Sequence, residues 1–110
     1  MKSGCKAVRD VSPQSKIIIH FAGITNADWF FSQLKNTSVD YDIMGLSYYP
    51  IWHGKSLDSL KTAISSLTLN NNKKVIIAET AYPFSLGYDD YTNNILGLST
   101  QLIPAYPATE

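Results

Sequence analysis

One cysteine, Cys5, is all the thiol the 110 residues contain, which excludes an intrachain disulfide and a multi-thiolate metal site and leaves Cys5 to be read as a small buried apolar residue. Charge of one sign is also missing: nine Lys and Arg balance nine Asp and Glu, so no electrostatic argument favours a nucleic-acid or membrane partner. Apolar runs stop at about four residues where spanning a bilayer takes roughly 20, and residues 1–5 are not followed by the apolar core of a signal peptide. No Gly-rich phosphate loop, no internal repeat and no low-complexity tract beyond Asn70-Asn71-Asn72 is present. The two histidines, His20 and His53, have no partner at a metal-ligand spacing, so no metal site is expected. Glutamate is scarce as well, limited to Glu79 and the terminal Glu110. What is abundant is apolar and aromatic: 45% hydrophobic residues, with seven Tyr, four Phe and two Trp, the composition of a folded domain and not of a disordered tail.

Along the chain, Met1, Cys5, Val8 and Val11 recur at helical spacing until Ser12-Pro13 halts them. Residues 16–21 form a β-branched run without alternation, the mark of a parallel-sheet strand covered on both faces. Thr25, Asn26 and Asp28 predict a capped helix start, followed by the stripe Ala27, Phe30, Phe31 and Leu34, with Lys35 suited to the last turn. Trp29 lies off that stripe and is expected to pack against a neighbour. A second buried strand is read over residues 41–48 and ends before Pro50. Ser56 is the expected cap of a helix carrying Leu57, Leu60, Ala63, Ile64 and Leu67, which the asparagines at 70–72 stop by a left-handed turn. The third strand covers residues 74–78. After Glu79 periodicity is lost for about thirty residues, long for a connection and typical of a functional loop; residues 107–110 are suited to open a further helix.

Helix, strand, helix, strand, helix, strand is a run of right-handed βαβ units. Three parallel strands leave two open edges, so the expected fold class is α/β, a portion of an eight-stranded barrel; a flavodoxin-like domain would require five strands and a phosphate loop. Ligands bind such folds at the C-terminal strand ends. There stand His20, then Tyr48-Tyr49-Pro50-Ile51-Trp52-His53-Gly54, then Glu79 followed by Thr80-Ala81-Tyr82-Pro83. A carboxylate among aromatic and imidazole groups suits carbohydrate chemistry, because the carboxylate attacks or stabilises an oxocarbenium-like centre while aromatic faces stack on sugar C–H faces. The plainer reading of Glu79 is a salt-bridged strand-end carboxylate, and of His20 a satisfied core histidine. Asp42, early on its strand, is expected at the stabilising end of a barrel. Asp89 and Asp90 are read as a solvated loop in preference to a cation site.

The residues Ala7-Val8-Arg9 ahead of Ser12-Pro13, Ile19-His20-Phe21-Ala22-Gly23, the block from Asp40 through Tyr48-Tyr49-Pro50-Ile51-Trp52-His53-Gly54, and Ala78-Glu79-Thr80-Ala81-Tyr82-Pro83 resemble the arabinogalactan endo-β-1,4-galactanases of glycoside hydrolase family 53. The resemblance covers nearly the whole chain and is weakest from Phe84 onward. It implies a (β/α)₈ TIM barrel of which residues 1–110 supply the end of helix 4 and about strands 5 to 7, lacking strands 1–4 and 8. It further implies retaining hydrolysis of galactan or arabinogalactan by two glutamates. Glu79 matches the nucleophile, and the acid/base belongs to a strand ahead of Met1. His20, Tyr48, Trp52 and His53 fall along the sugar cleft by the same resemblance, with Tyr82 beside the nucleophile. Where relatives carry a polar residue two positions after the strand histidine, this chain has Ala22, and no substrate contact is carried over to it. No metal, cofactor or obligate protein partner is implied, and a polymeric substrate places the parent enzyme in the secreted or periplasmic space. Two alternatives stand beside this one: a catalytically inactive fragment with at most weak carbohydrate binding, and a related retaining barrel hydrolase acting on another β-linked polysaccharide.

Overall fold

The structure, a computed structural model, describes residues 1–83, 85, 86 and 96–106; the acidic pair Asp89 and Asp90 and the terminal segment 107–110 lie outside the described residues. Chain order is α1 (Lys2–Val11), β1 (Ile18–Phe21), α2 (Ala27–Asn36), β2 (Ile43–Tyr48), the single turn α3 (Pro50–His53), α4 (Leu57–Asn71), β3 (Lys74–Thr80) and a 3₁₀ turn at Ser99–Gln101. The three strands form one parallel sheet in the order β1-β2-β3. The helix-strand alternation read from the sequence is therefore present, with α3 added in the loop after β2.

One face of the sheet carries the core. Met44 and Leu46 of β2 are fully enclosed, and α2 lays Ala27, Phe31 and Leu34 over them while α4 contributes Leu67. Phe21, Phe30, Phe31 and Tyr41 form a chain of rings with centroids 4.9, 5.1 and 6.1 Å apart, a contact geometry favourable for aromatic pairs. The expected ends of α4 are realised: Ser56 Oγ accepts from the Ser59 N–H at 3.2 Å, and Asn72 takes the left-handed conformation (φ 50°, ψ 43°). The start of α2 differs from expectation. Asn26 precedes the helix in a left-handed conformation and gives no side-chain cap, and the turn is closed instead by the Ala27 N–H on the Ile24 carbonyl.

On the other face only β2 is covered, its residues from Met44 to Tyr48 all being buried as expected, whereas the flanking strands are open, which corrects the expectation of a β1 covered on both sides. Ile18 is 44% and Ile76 38% exposed although both belong to β-branched runs. The pattern has a physical reason: alternate residues of a barrel strand point into the lumen, which is filled only when all strands close around it. Gly45, at the centre of this face, fits the same account, since a Cβ there would lie 2.9 Å from Ile18 Cγ2. The Cα radius of gyration, 17.1 Å, exceeds the roughly 13 Å of a compact domain this long. Of the α1 stripe only Cys5 is buried, as expected for that residue, whereas Met1, Val8 and Val11 stay exposed. Trp29 is exposed too.

At the N-terminal strand ends an ion cluster fixes α1 to the sheet. Arg9 donates through Nε to Asp40 (2.8 Å), through Nη2 to Asp42 (2.9 Å) and through Nη1 to the Ser15 carbonyl (2.7 Å). Asp42 also accepts from the Ile17 N–H at 2.8 Å, joining the entries of β1 and β2. The Ile17 N–H and then Arg9 hold the Asp42 carboxyl down at about 2. Asp42 thus stands at the end of the sheet remote from Glu79, where the sequence places it.

Candidate active site

Residues i and i+2 of a strand share a face, so Gly45 and Ser47 look into the open side of the sheet with Ile18, while Met44, Leu46 and Tyr48 look toward the helices. On β3, simple alternation from Ile76 and Ala78 would send Glu79 to the helix side with Ile77. It does not, because the pairing register slips: Leu46 is opposite Ile77, and Ser47 is opposite Glu79. The extra residue on β3 re-aims the Glu79 side chain to the open face, a use of the β-bulge common beside reactive sites.

Glu79 meets three groups there. Ser47 Oγ donates to Oε2 at 2.9 Å, Tyr49 Oη donates to the same oxygen at 3.3 Å, and His20 Nδ1 stands 3.7 Å from Oε1. His20 Nε2 is in turn 2.8 Å from Ser47 Oγ. The carboxylate is half exposed, so it is open to a ligand and anchored from behind. Tyr49 keeps its proton above the ordinary phenol range, first because its ring is partly desolvated and then because of the adjacent Glu79 charge; it therefore serves as a hydrogen-bond donor at neutral pH.

Trp52 and His53 arrive on α3. Trp52 is 55% exposed and meets the Tyr49 ring edge-on at 5.2 Å, presenting a broad apolar surface next to Tyr49. His53 is turned inward: its Nδ1 accepts from the Tyr49 N–H at 2.9 Å, and its Nε2 lies where a side chain at Gly23 would point, 3.1 Å from that Cβ position. Gly23 has φ +99°, so both its backbone and its neighbour require glycine. His53 thus ties the loops after β1 and β2 together.

Two of the sequence-predicted residues are not brought to this cluster. Tyr48 is buried on the helix side, and its hydroxyl donates to the Gly54 carbonyl at 2.7 Å, leaving no free polar tip for a sugar. Tyr82 uses its hydroxyl on the 103–106 segment, accepting from the Ile103 N–H at 2.6 Å and donating to the Tyr106 carbonyl. Between Tyr48, Leu57, Tyr82 and Ile103 lies an apolar cavity of about 330 Å³. Conversely, sequence reasoning passes over Ser47. A lone serine in an apolar strand carries no signal by itself, although its i, i+2 relation to Gly45 and Tyr49 places it on the rim face. Among the described residues no group of three or more His, Cys, Asp or Glu side chains could hold a metal ion, and no helix is long and apolar enough to cross a membrane.

Comparison with known proteins matches residues 1–110 to Glycosyl hydrolase family 53. The chain belongs to family 53. It is 42% identical over 114 residues to an arabinogalactan endo-beta-1,4-galactanase of Cellvibrio japonicus, covering 99% of this chain and 30% of that protein. With an endo-beta-1,4-galactanase of Bacillus subtilis the identity is 33%, covering 94% and 24%. Among solved structures, the Ignisphaera aggregans GH53 catalytic domain superposes with a TM-score of 0.82 at 38% identity over 91% of this chain and 28% of that one. The chain spans under a third of the length of the curated relatives it matches. The open sheet face and edges described above are those of a family 53 barrel segment, three strands of a (β/α)₈ fold with the helices that cover them.

Proposed function

We propose that the protein to which these residues belong is a retaining endo-β-1,4-galactanase, with Glu79 as its nucleophile. The observation that carries the reading is Glu79 itself: a half-exposed carboxylate at the C-terminal end of β3, re-aimed by a bulge and held by Ser47 and by Tyr49, whose ring meets the exposed Trp52. In this mechanism Glu79 attacks the anomeric carbon while a second carboxylic acid, roughly 5 Å away, protonates the leaving oxygen and then activates water for the second displacement. That second group is assigned to residues outside this chain. Among the described residues Glu79 is the sole glutamate, and the Asp40–Asp42 cluster lies at the opposite end of the sheet. Trp52 stacks a galactosyl ring, and His20 reaches a sugar hydroxyl; His53 serves the cleft by holding the Tyr49 backbone. The names of the relatives support galactan or arabinogalactan as the polymer, and a polymer of that size supports a secreted or periplasmic enzyme. Residues 1–110 are one contiguous segment of the catalytic barrel domain.

The isolated 110 residues are a separate matter. An open lumen face and one carboxylate support a second reading for them, an inactive segment with at most weak sugar binding. Release of reducing ends from β-1,4-galactan and β-1,4-mannan, measured for the intact protein and for residues 1–110 alone, tests both readings. Galactan cleavage by the intact protein only is expected; activity confined to mannan would remove the galactanase assignment, and activity of the short chain would remove the second reading.

A further inference from the structure

Ser47 is 3% exposed, yet its hydroxyl lies between two groups of the cleft, 2.8 Å from His20 Nε2 and 2.9 Å from Glu79 Oε2. A serine hydroxyl has one proton, and an ionised carboxylate can only accept. With Glu79 ionised, as a nucleophile must be, the Ser47 proton is committed to Oε2. Only lone pairs then remain on Oγ for the imidazole, so His20 Nε2 must be the protonated ring nitrogen. The hydrogen bonds that Glu79 receives from Ser47 and Tyr49 both fall on Oε2. Across Oε1 stands His20 Nδ1 at 3.7 Å, beyond hydrogen-bond length. The two oxygens are therefore unequal: among the described residues Oε2 receives two hydrogen bonds and Oε1 receives none.

We infer that Ser47 is a positioning residue that pins Oε2 of Glu79, fixes the Nε2–H tautomer of His20, and leaves Oε1 as the oxygen that attacks. The inference deepens the galactanase reading and rests on it. In the step so described, an Oε1 lone pair forms the bond to the anomeric carbon as the glycosidic C–O bond breaks; its electron pair goes to the leaving oxygen, which takes a proton from the second carboxylic acid. Losing the Ser47 hydroxyl frees the carboxylate to rotate and leaves His20 Nε2 facing a methyl group, without touching the sugar.

The test uses the intact protein and its Ser47→Ala and Ser47→Thr variants, with kcat and KM measured on β-1,4-galactan and with ring-¹⁵N histidine spectra, the His20 signals being assigned from a His20→Gln variant. Loss of a buried hydrogen bond to a charged group predicts a fall in kcat of about 10- to 100-fold in Ser47→Ala. KM changes little, and Ser47→Thr, which keeps the hydroxyl, recovers most of the rate. The wild-type spectrum is expected to show a protonated Nε2 on His20, with its signal shifted in Ser47→Ala. A Ser47→Ala kcat within about twofold of wild type, below what such a bond contributes, overturns the inference, as does an unprotonated Nε2 in the wild type. If the wild type leaves galactan uncut, the galactanase reading has failed, and the spectrum alone still decides the hydrogen-bond arrangement: Nε2–H upholds it and a bare Nε2 refutes it.

Discussion

Replacing Tyr48 and Tyr49 separately by phenylalanine probes the orientation of the rim, because adjacent tyrosines on one strand end serve opposite faces. Tyr49 donates to the Glu79 carboxylate at 3.3 Å, a long bond for an anionic acceptor. Tyr49→Phe should therefore cost no more than the lower bound of the range for hydrogen bonds to charged groups, about 1–1.5 kcal/mol, or about a 5- to 10-fold fall in kcat. Tyr48 donates to the Gly54 carbonyl at 2.7 Å from a buried position on the helix side. Tyr48→Phe should leave kcat unchanged and lower the unfolding free energy by about 1 kcal/mol, part of which the exposed Gly54 carbonyl recovers from water. The assays are galactan hydrolysis and urea unfolding of the intact protein. Equal losses of kcat in the two variants, or a larger loss in Tyr48→Phe, would refute the face assignment.

Other consequences are as open to measurement. Gly23→Ala combines φ +99° with a Cβ 3.1 Å from His53 Nε2 and should destabilise by more than about 1 kcal/mol; an unchanged urea midpoint contradicts the account of that loop contact. Asp42, held at about 2 against an ordinary 3.8, has its folded value depressed, so its contribution to stability is complete above about pH 4 and is lost as the pH falls toward 2. Asp42→Asn should flatten that part of the pH–stability curve, and an equally steep curve in the variant tells against the cluster. Trp52→Ala should raise KM for galactan by about tenfold through loss of one stacking surface, while changing the unfolding free energy by less than about 0.5 kcal/mol because the ring is exposed. An unaltered KM would remove Trp52 from the cleft.

Much of the fold was legible because the signals were strong and local. The runs around Ile18, Met44 and Ile76 are short, apolar and bounded by turn residues, as strands are, the stripe of Ala27, Phe31 and Leu34 has the period of a helix, and Ser56 and Asn72 end α4 by their own chemistry. What was not legible depended on geometry between strands. The bulge opposite Ser47 leaves no mark in the sequence, yet without it Glu79 would face the helices. Tyr48 and Tyr49 are indistinguishable by composition, and only the pleat sets one toward Gly54 and the other toward Glu79. Asn26 has the side chain of a helix cap but takes a left-handed turn that directs it elsewhere. The absence of alternation indicated burial on both faces, which the central strand β2 shows and the flanking β1 does not, because its lumen side is covered only when a barrel closes.

The central claim is that Glu79 forms the glycosyl-enzyme bond. Glu79→Ala in the intact protein, assayed on β-1,4-galactan with and without added azide, examines it directly. The account predicts activity reduced to background and restored by azide, with the small anion attacking in place of the missing carboxylate to give a glycosyl azide of inverted anomeric configuration. A Glu79→Ala protein that still cleaves galactan at the wild-type rate would contradict it.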